Sequence, residues 1–321
     1  MSDITIIGNA IIDVVVKPID KKIFENECTS VETLKLSYGG DALNESVVLS
    51  KLGKNVEIIS KVGDDEAGSK ILDFINKNNI NSSKVSVDPG VETSVNLVLV
   101  NDKGERFFVS NPLSSQRRLS KGDIAHHLRS TGKIISFASM FISPLLDVPA
   151  MTEIFYAIKQ NPDNILSVDL VKEKNGLTLY DLKTLIPYAD FIMPNREEIS
   201  ALTGSDDLHN NACALIEAGC GCAVIKCGKD GCFVKSRSIE CCIPAYPTKN
   251  CIDTTGAGDS FAAGFLWALS EGWSIPDCAC FGTAVASCTI EHIGATEGTY
   301  SMNEAMSRFK VVKNLMRSAN N

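Results

Sequence analysis

No uninterrupted apolar run in this 321-residue sequence approaches the roughly 18 residues of a membrane-spanning helix, so a helical membrane protein is not expected. Basic charge is not in excess either: 31 Lys and Arg stand against 39 Asp and Glu, a formal net charge of −8. That argues against a nucleic-acid or anionic-membrane partner, which needs a basic face, but leaves room for a small anion held by backbone N–H groups. The opening residues MSDITIIGNAIIDVVV lack the basic stretch of a secretory signal and alternate as a strand does, so the cytoplasm is the default location.

Two nucleotide-binding signatures are also missing. The first strand runs into GNAIID rather than G-x-G-x-x-G, which disfavours a dinucleotide-binding oxidoreductase. The three Gly-Lys pairs, in LGKN, TGKI and CGKD, are not followed by Ser or Thr, so a P-loop is absent. Cysteine, by contrast, is plentiful: twelve residues, seven of them between Cys220 and Cys251. None forms a C-x-x-C pair, and CGC at 220–222 and CC at 241–242 are poor chelate spacings. They read as reduced, buried thiols acting as small hydrophobes.

What is present is an alternation of short apolar runs with amphipathic segments. Strands are expected at 4–8, 56–62, 133–138, 164–170, 190–195, 222–227 and 232–236, several of them apolar without alternation, as in strands covered on both faces. Helices are expected at 41–53, 68–80, 148–160 and 302–316. This rhythm implies a mostly parallel sheet with helices on both faces. Residues 10–38 and 92–110 break it, the second reading as a hairpin around NDKGE. Neither has a crossover helix, and together they are expected to form a small antiparallel sheet beside the main domain, a plausible lid.

The stretch DTTGAGDSFAAGF (253–265) carries the chemistry. A glycine-rich turn feeds a helix whose Phe261, Phe265 and Leu269 are four apart, and its free N–H groups and dipole make an anion site. Asp259 at that point has two readings. It can cap the helix, or it can take a proton from a hydroxyl attacking a bound phosphoryl group.

The stretch resembles the C-terminal signature of the PfkB, or ribokinase-like, family of carbohydrate and nucleoside kinases, from Asp253 through Asp259 and on to Gly264. YGGDALNESVVLSKLG (38–53) resembles the N-terminal signature, and GNAIID, VGDDEAG, PNREE, IKCGKDG and HIGA follow the family order. The resemblance covers about residues 3–318 and is similar in detail to uncharacterised bacterial sugar kinases carrying GGDALNE. It implies one ribokinase-like, three-layer α/β/α kinase domain over 1–321, with a small β-sheet lid from about 13–38 and 92–111.

By that resemblance Asp259 is the general base, and Gly256, Ala257 and Gly258 form the anion hole. Asp13, Gly39, Gly40, Asp41 and Asn44 face the sugar, with Asn96 and Arg106 on the lid and Asp169 and Lys172 after a core strand. Asn195, Glu198, Lys226, Gly228, Gly231 and Thr283 lie on the nucleotide side, and Glu198 holds Mg²⁺ through water. Asp253 and Thr255, with backbone carbonyls at Thr289, His292 and Gly294, match a K⁺ site.

Ile142 stands where ribokinases carry a glutamate, which argues against ribose. Asp41 favours an uncharged sugar, whereas Lys172 favours a sugar acid. The implied activity is ATP-dependent phosphorylation of a sugar hydroxyl. A nucleoside kinase is the nearest alternative and a non-catalytic sugar sensor the most distant. A lid sheet with a free face is expected to pair with a second copy, giving a homodimer.

Overall fold

The computed structural model of the chain describes residues 2–102, 104–173, 176–248, 250–296, 298 and 301–319. In chain order its strands are β1 (Ile4–Ile7), β2 (Ile11–Lys17), β3 (Thr33–Gly39), β4 (Val56–Gly63), β5 (Asn81–Asp88), β6 (Val95–Val100) and β7 (Arg106–Val109). There follow β8 (Ile134–Met140), β9 (Ile165–Leu170), β10 (Phe191–Ile192), β11 (Cys222–Lys226), β12 (Cys232–Ser236) and β13 (Glu240–Ile243). The helices are α1 (Asp41–Lys51), α2 (Glu66–Lys77), α3 (Lys121–Ala125), α4 (Val148–Ile158), α5 (Arg196–Thr203), α6 (Leu208–Glu217), α7 (Ala257–Ser270), α8 (Ile275–Thr289) and α9 (Met302–Ala319).

Nine strands form one sheet in the order β13-β12-β11-β10-β9-β8-β1-β4-β5. The pairings from β11 across to β5 are parallel, and β12 and β13 close one edge antiparallel. Successive side chains point to opposite faces, so Ile4, Ile6, Ile58 and Val224 enter one apolar core while Ile7, Ile59, Ala223 and Ile225 enter another. The first core also takes up the apolar faces of α1, α7 and α8, and the second those of α4, α5 and α6. This is the three-layer α/β/α arrangement expected from the sequence.

Helix starts follow local chemistry. Asp147 accepts the Ala150 N–H at 2.9 Å ahead of α4, with Pro149 in the first turn. Asp65 accepts the Gly68 N–H at 2.7 Å, which sets α2 two residues earlier than the apolar pattern indicated. The edge strands β5 and β13 were not expected. NSSKVSVD carries few apolar residues because an edge strand is covered less than a central one, and ECCI, at 4 residues, is too short to show a pattern.

The segments that lack crossover helices form a second sheet, ordered β3-β2-β6-β7. It is mixed rather than antiparallel: β2 runs parallel to β6, and only the outer pairs are antiparallel. The reason is topological. β2 follows β1 and β6 follows β5, and both leave the same end of a parallel sheet, so they set out in the same direction. Lys103, of the expected NDKGE turn, lies outside the described residues.

Six cysteines are buried (220, 222, 232, 278, 280 and 288), and twelve are free thiols. Burial pushes the thiols of Cys220, Cys222, Cys278, Cys280 and Cys288 up to about 12, where they are inert. Cys28, Cys242 and Cys251 are exposed, so the buried reading does not extend to them. Among the described residues no helix is long and apolar enough to cross a membrane.

Candidate active site

The C-terminal ends of β1, β8, β9, β10 and β11 open into a cleft of about 660 Å³, lined among others by Asn9, Ile142, Asp169, Asn195 and Lys226. That is where open α/β sheets place their ligands. Two helices begin there. Gly40 precedes α1 at φ +96°, where an added Cβ would lie 2.5 Å from the Asn9 carbonyl oxygen. Gly256 precedes α7 at φ +71°, where a Cβ would lie 2.5 Å from that of Ala295. Both glycine signatures are therefore demanded by backbone geometry.

Asp259 is the third residue of α7, and the helix has no side-chain cap. Its carboxylate instead accepts a 2.7 Å hydrogen bond from Asn44 Nδ2 on α1. The two sequence signatures, 215 residues apart, thus meet at one carboxylate. Burial pushes the Asp259 pKa up, the Asn44 bond pulls it down, and Asp169 raises and Lys226 lowers it, leaving it at about 6. The N–H of Ala257 donates to Thr254 O at 3.2 Å, while those of Gly256 and Gly258 have no partner among the described residues. Two of the three expected donors therefore point free.

Asp169 and Lys226, expected on the substrate and nucleotide sides, are joined. Lys226 Nζ donates to Asp169 Oδ2 at 2.5 Å, and both side chains are largely buried. Burial opposes the charge on Lys226, but Asp169 and Glu198 outweigh it and raise its pKa. An added Cβ on Gly258 would sit 3.4 Å from Lys226 Nζ, so the ammonium lies against the anion-hole turn. Asp41 Oδ2 accepts from Ser139 Oγ at 3.3 Å. Burial and the neighbouring Asp259 and Asp169 carboxylates push the Asp41 pKa well up. Asp13 accepts from Asn96 Nδ2 at 3.3 Å, its pKa raised by burial against that bond.

Asn195 and Glu198 cap α5 reciprocally: Asn195 Oδ1 accepts the Glu198 N–H at 2.9 Å, and Glu198 Oε2 accepts the Asn195 N–H at 2.7 Å. Both also line the cleft. The second Glu198 oxygen has no partner among the described residues, and burial raises the pKa to about 7, opposed by Lys226. A hard cation with its water shell fits such a group.

The K⁺ expectation does not fit. Asp253 Oδ1 takes the Thr255 N–H at 2.9 Å and hydroxyl at 2.6 Å, and Oδ2 takes the Gly294 N–H at 2.9 Å. Arg106, expected on the sugar, reaches instead from β7 to Asp253 Oδ1 and Thr255 Oγ1. Thr289 O accepts the His292 N–H at 3.0 Å, and the His292 side chain is exposed.

Gly40, Lys172, Gly228 and Thr255 also line the cleft. Gly39 and Gly231 do not: the first pairs with Ile11 in the small sheet, and the second accepts the Cys227 N–H at 2.7 Å. Thr283, expected to line an adenine pocket, is buried in α8, and its hydroxyl donates to Ala279 O at 2.9 Å. Arg117, Gln116, Phe108 and Phe141 line the cleft and were missed. Arg117 lies in SSQRRL, where nothing periodic marks it. Phe141 holds φ +75°, strained for a bulky residue, and no sequence pattern announces that.

The model of the "pfkB family carbohydrate kinase" matches residues 1–301. The chain belongs to the pfkB family. It is therefore a phosphotransferase with an alcohol group as acceptor. A probable fructokinase-5 from Arabidopsis thaliana is 29% identical over 74% of this chain and 75% of its own length. An uncharacterized sugar kinase from Archaeoglobus fulgidus is 29% identical over 78% and 97%. A nucleoside kinase from Methanothermobacter thermautotrophicus is 26% identical over 96% and 95%. Among solved structures, a putative ribokinase II from E. coli in complex with ATP and Mg²⁺ superposes with a TM-score of 0.81 at 20% identity, over 97% of this chain and all of that one. An Arabidopsis thaliana ribokinase complexed with ribose and ATP gives 0.80 at 20% identity, over 96% and 99%. These likenesses establish the fold; the substrate is not read from them.

Proposed function

We propose that this pfkB kinase transfers the γ-phosphoryl group of ATP to a hydroxyl of a small sugar or polyol, with Asp259 as general base. The observation that carries this is the Asn44–Asp259 contact beside the unpaired Gly256 and Gly258 N–H groups. Asn44 Oδ1 is buried with no hydrogen-bond partner among the described residues, and such an acceptor is satisfied by an incoming hydroxyl. Asp259 then takes that hydroxyl's proton, and the free N–H groups face the charge that develops on the transferring group.

Asp13 and Asn96 supply further polyol contacts, and carboxylates and amides bind vicinal hydroxyls well. Lys226, pinned by Asp169 against the turn, adds a positive charge near the phosphoryl path. Glu198, with Asn195, would hold Mg²⁺ through water; the ion would offset phosphate charge. The small sheet acts as a lid that excludes water competing with the sugar for the phosphoryl group.

The acceptor is expected to be an uncharged sugar, because Asp41 lines the same cleft. A sugar acid is the second reading, favoured by Arg117, whose Nε is buried without a partner among the described residues, and by Lys172. Resemblance to sugar kinases with GGDALNE supports a sugar over a nucleoside. The test is ATP consumption against a panel of neutral sugars, sugar acids and nucleosides. Turnover on neutral sugars supports the proposal. Turnover confined to nucleosides transfers the assignment to a nucleoside kinase, and sugar binding without turnover would make the protein a sensor.

A further inference from the structure

We infer that Arg106 takes the place of a monovalent cation in this kinase and ties the small sheet to the catalytic turn. This rests on the kinase reading above. Arg106 opens β7, where it pairs with Val100, and it shares a strand face with Phe108, which lines the cleft. Its guanidinium donates one N–H through Nη1 to the Thr255 hydroxyl and one through Nη2 to Asp253 Oδ1. Both acceptors lie in DTTGAGD, 147 and 149 residues away in sequence.

Asp253 is the anionic ligand that a K⁺ ion would need, and its oxygens are committed. Oδ1 receives Thr255 and Arg106, and Oδ2 receives Gly294. The counter-charge to this carboxylate comes from the protein, through the Arg106 guanidinium. A second cation beside the guanidinium would be repelled by it and would find Oδ1 already taken by three donors, with only one lone pair left on Oδ2. A planar fork with two parallel donors suits this two-point attachment better than a lysine would.

The consequence runs along the chain. Thr255 is followed by Gly256, whose left-handed backbone lies against Ala295, and then by the turn that sets Gly258 and Asp259. Gly294, held by Asp253, precedes Ala295. Arg106 thus fixes both walls of the turn from the small sheet. When the sheet closes, the anion hole is ordered by the same contact. Arg106 is a positioning residue; it acts through Asp253 and Thr255.

The test compares the wild-type kinase with Arg106→Ala and Arg106→Lys in KCl, NaCl and tetramethylammonium chloride at one ionic strength. Wild-type kcat is expected to vary by less than about twofold among the three salts. Arg106→Ala is expected to lose at least about tenfold in kcat and to recover severalfold in K⁺, but not in tetramethylammonium. Arg106→Lys, which keeps the charge and loses the fork, should fall between them.

Amide exchange on the protein without substrate provides a second readout: protection of 254–258 and 292–296 should fall in Arg106→Ala and return with K⁺. Severalfold K⁺ activation of the wild type, or unchanged exchange in Arg106→Ala, would overturn the inference and leave the kinase assignment standing. Inactivity on every acceptor with the exchange pattern as expected would overturn the kinase assignment alone.

Discussion

Asp259 depends on a neighbour from the other end of the chain. Its pKa of about 6 lies above that of an ordinary carboxylate, so the base is ionised above that pH and protonated below it. kcat/KM is therefore expected to be level at pH 7–8 and to fall roughly tenfold per pH unit well below 6. The Asn44 bond favours the ionised form, so Asn44→Leu should move this acid limb to higher pH. An unmoved limb in a pH–rate profile would detach Asn44 from the base.

Substrate charge is decided by single residues as well. Asp41→Lys should shift preference from neutral sugars toward anionic ones, measured as the ratio of kcat/KM values. Robust turnover of a sugar acid, abolished by Lys172→Ala, would reverse the neutral-sugar expectation. The residues of the glycine signatures were legible because their spacing is local. The Lys226–Asp169 pair and the Arg106 contact were not, because each joins segments that only the folded topology brings together.

At the scale of elements, the parallel core was readable from apolar runs wide enough to be covered on both faces. The edge strands were not: partial cover leaves polar residues in β5, and β13, at 4 residues, is too short to show a pattern. The small sheet was legible as an exception to the β-α rhythm, but the parallel β2–β6 pairing depends on where the chain leaves the main sheet. Asp13 and Asn96 sit opposite each other on that pair, and both line the cleft. Sugar is therefore expected to protect amides of 13–38 and 92–111 from exchange more than ATP alone does. Equal protection by the two ligands would show that sugar binding does not close this sheet.

The whole molecule leaves one apolar face open. Cross-strand rows in the small sheet place Leu36, Val14, Leu97 and Val109 in line, and Leu34, Val16, Leu99 and Phe107 beside them. Leu34 is 74% exposed and Phe107 57%, so this face is bare in the single chain. A second copy is proposed to cover it. Sedimentation should show a dimer that Leu97→Glu converts to a monomer; a wild-type monomer at micromolar concentration would contradict that.

The fold, the cleft and the two helix starts all converge on one proton transfer. The most direct test is the turnover of Asp259→Asn on the best acceptor of the panel, with sugar binding measured in parallel. The account predicts binding within a few fold of wild type and kcat lowered by about 10²–10⁴. Near-normal turnover in Asp259→Asn would contradict it.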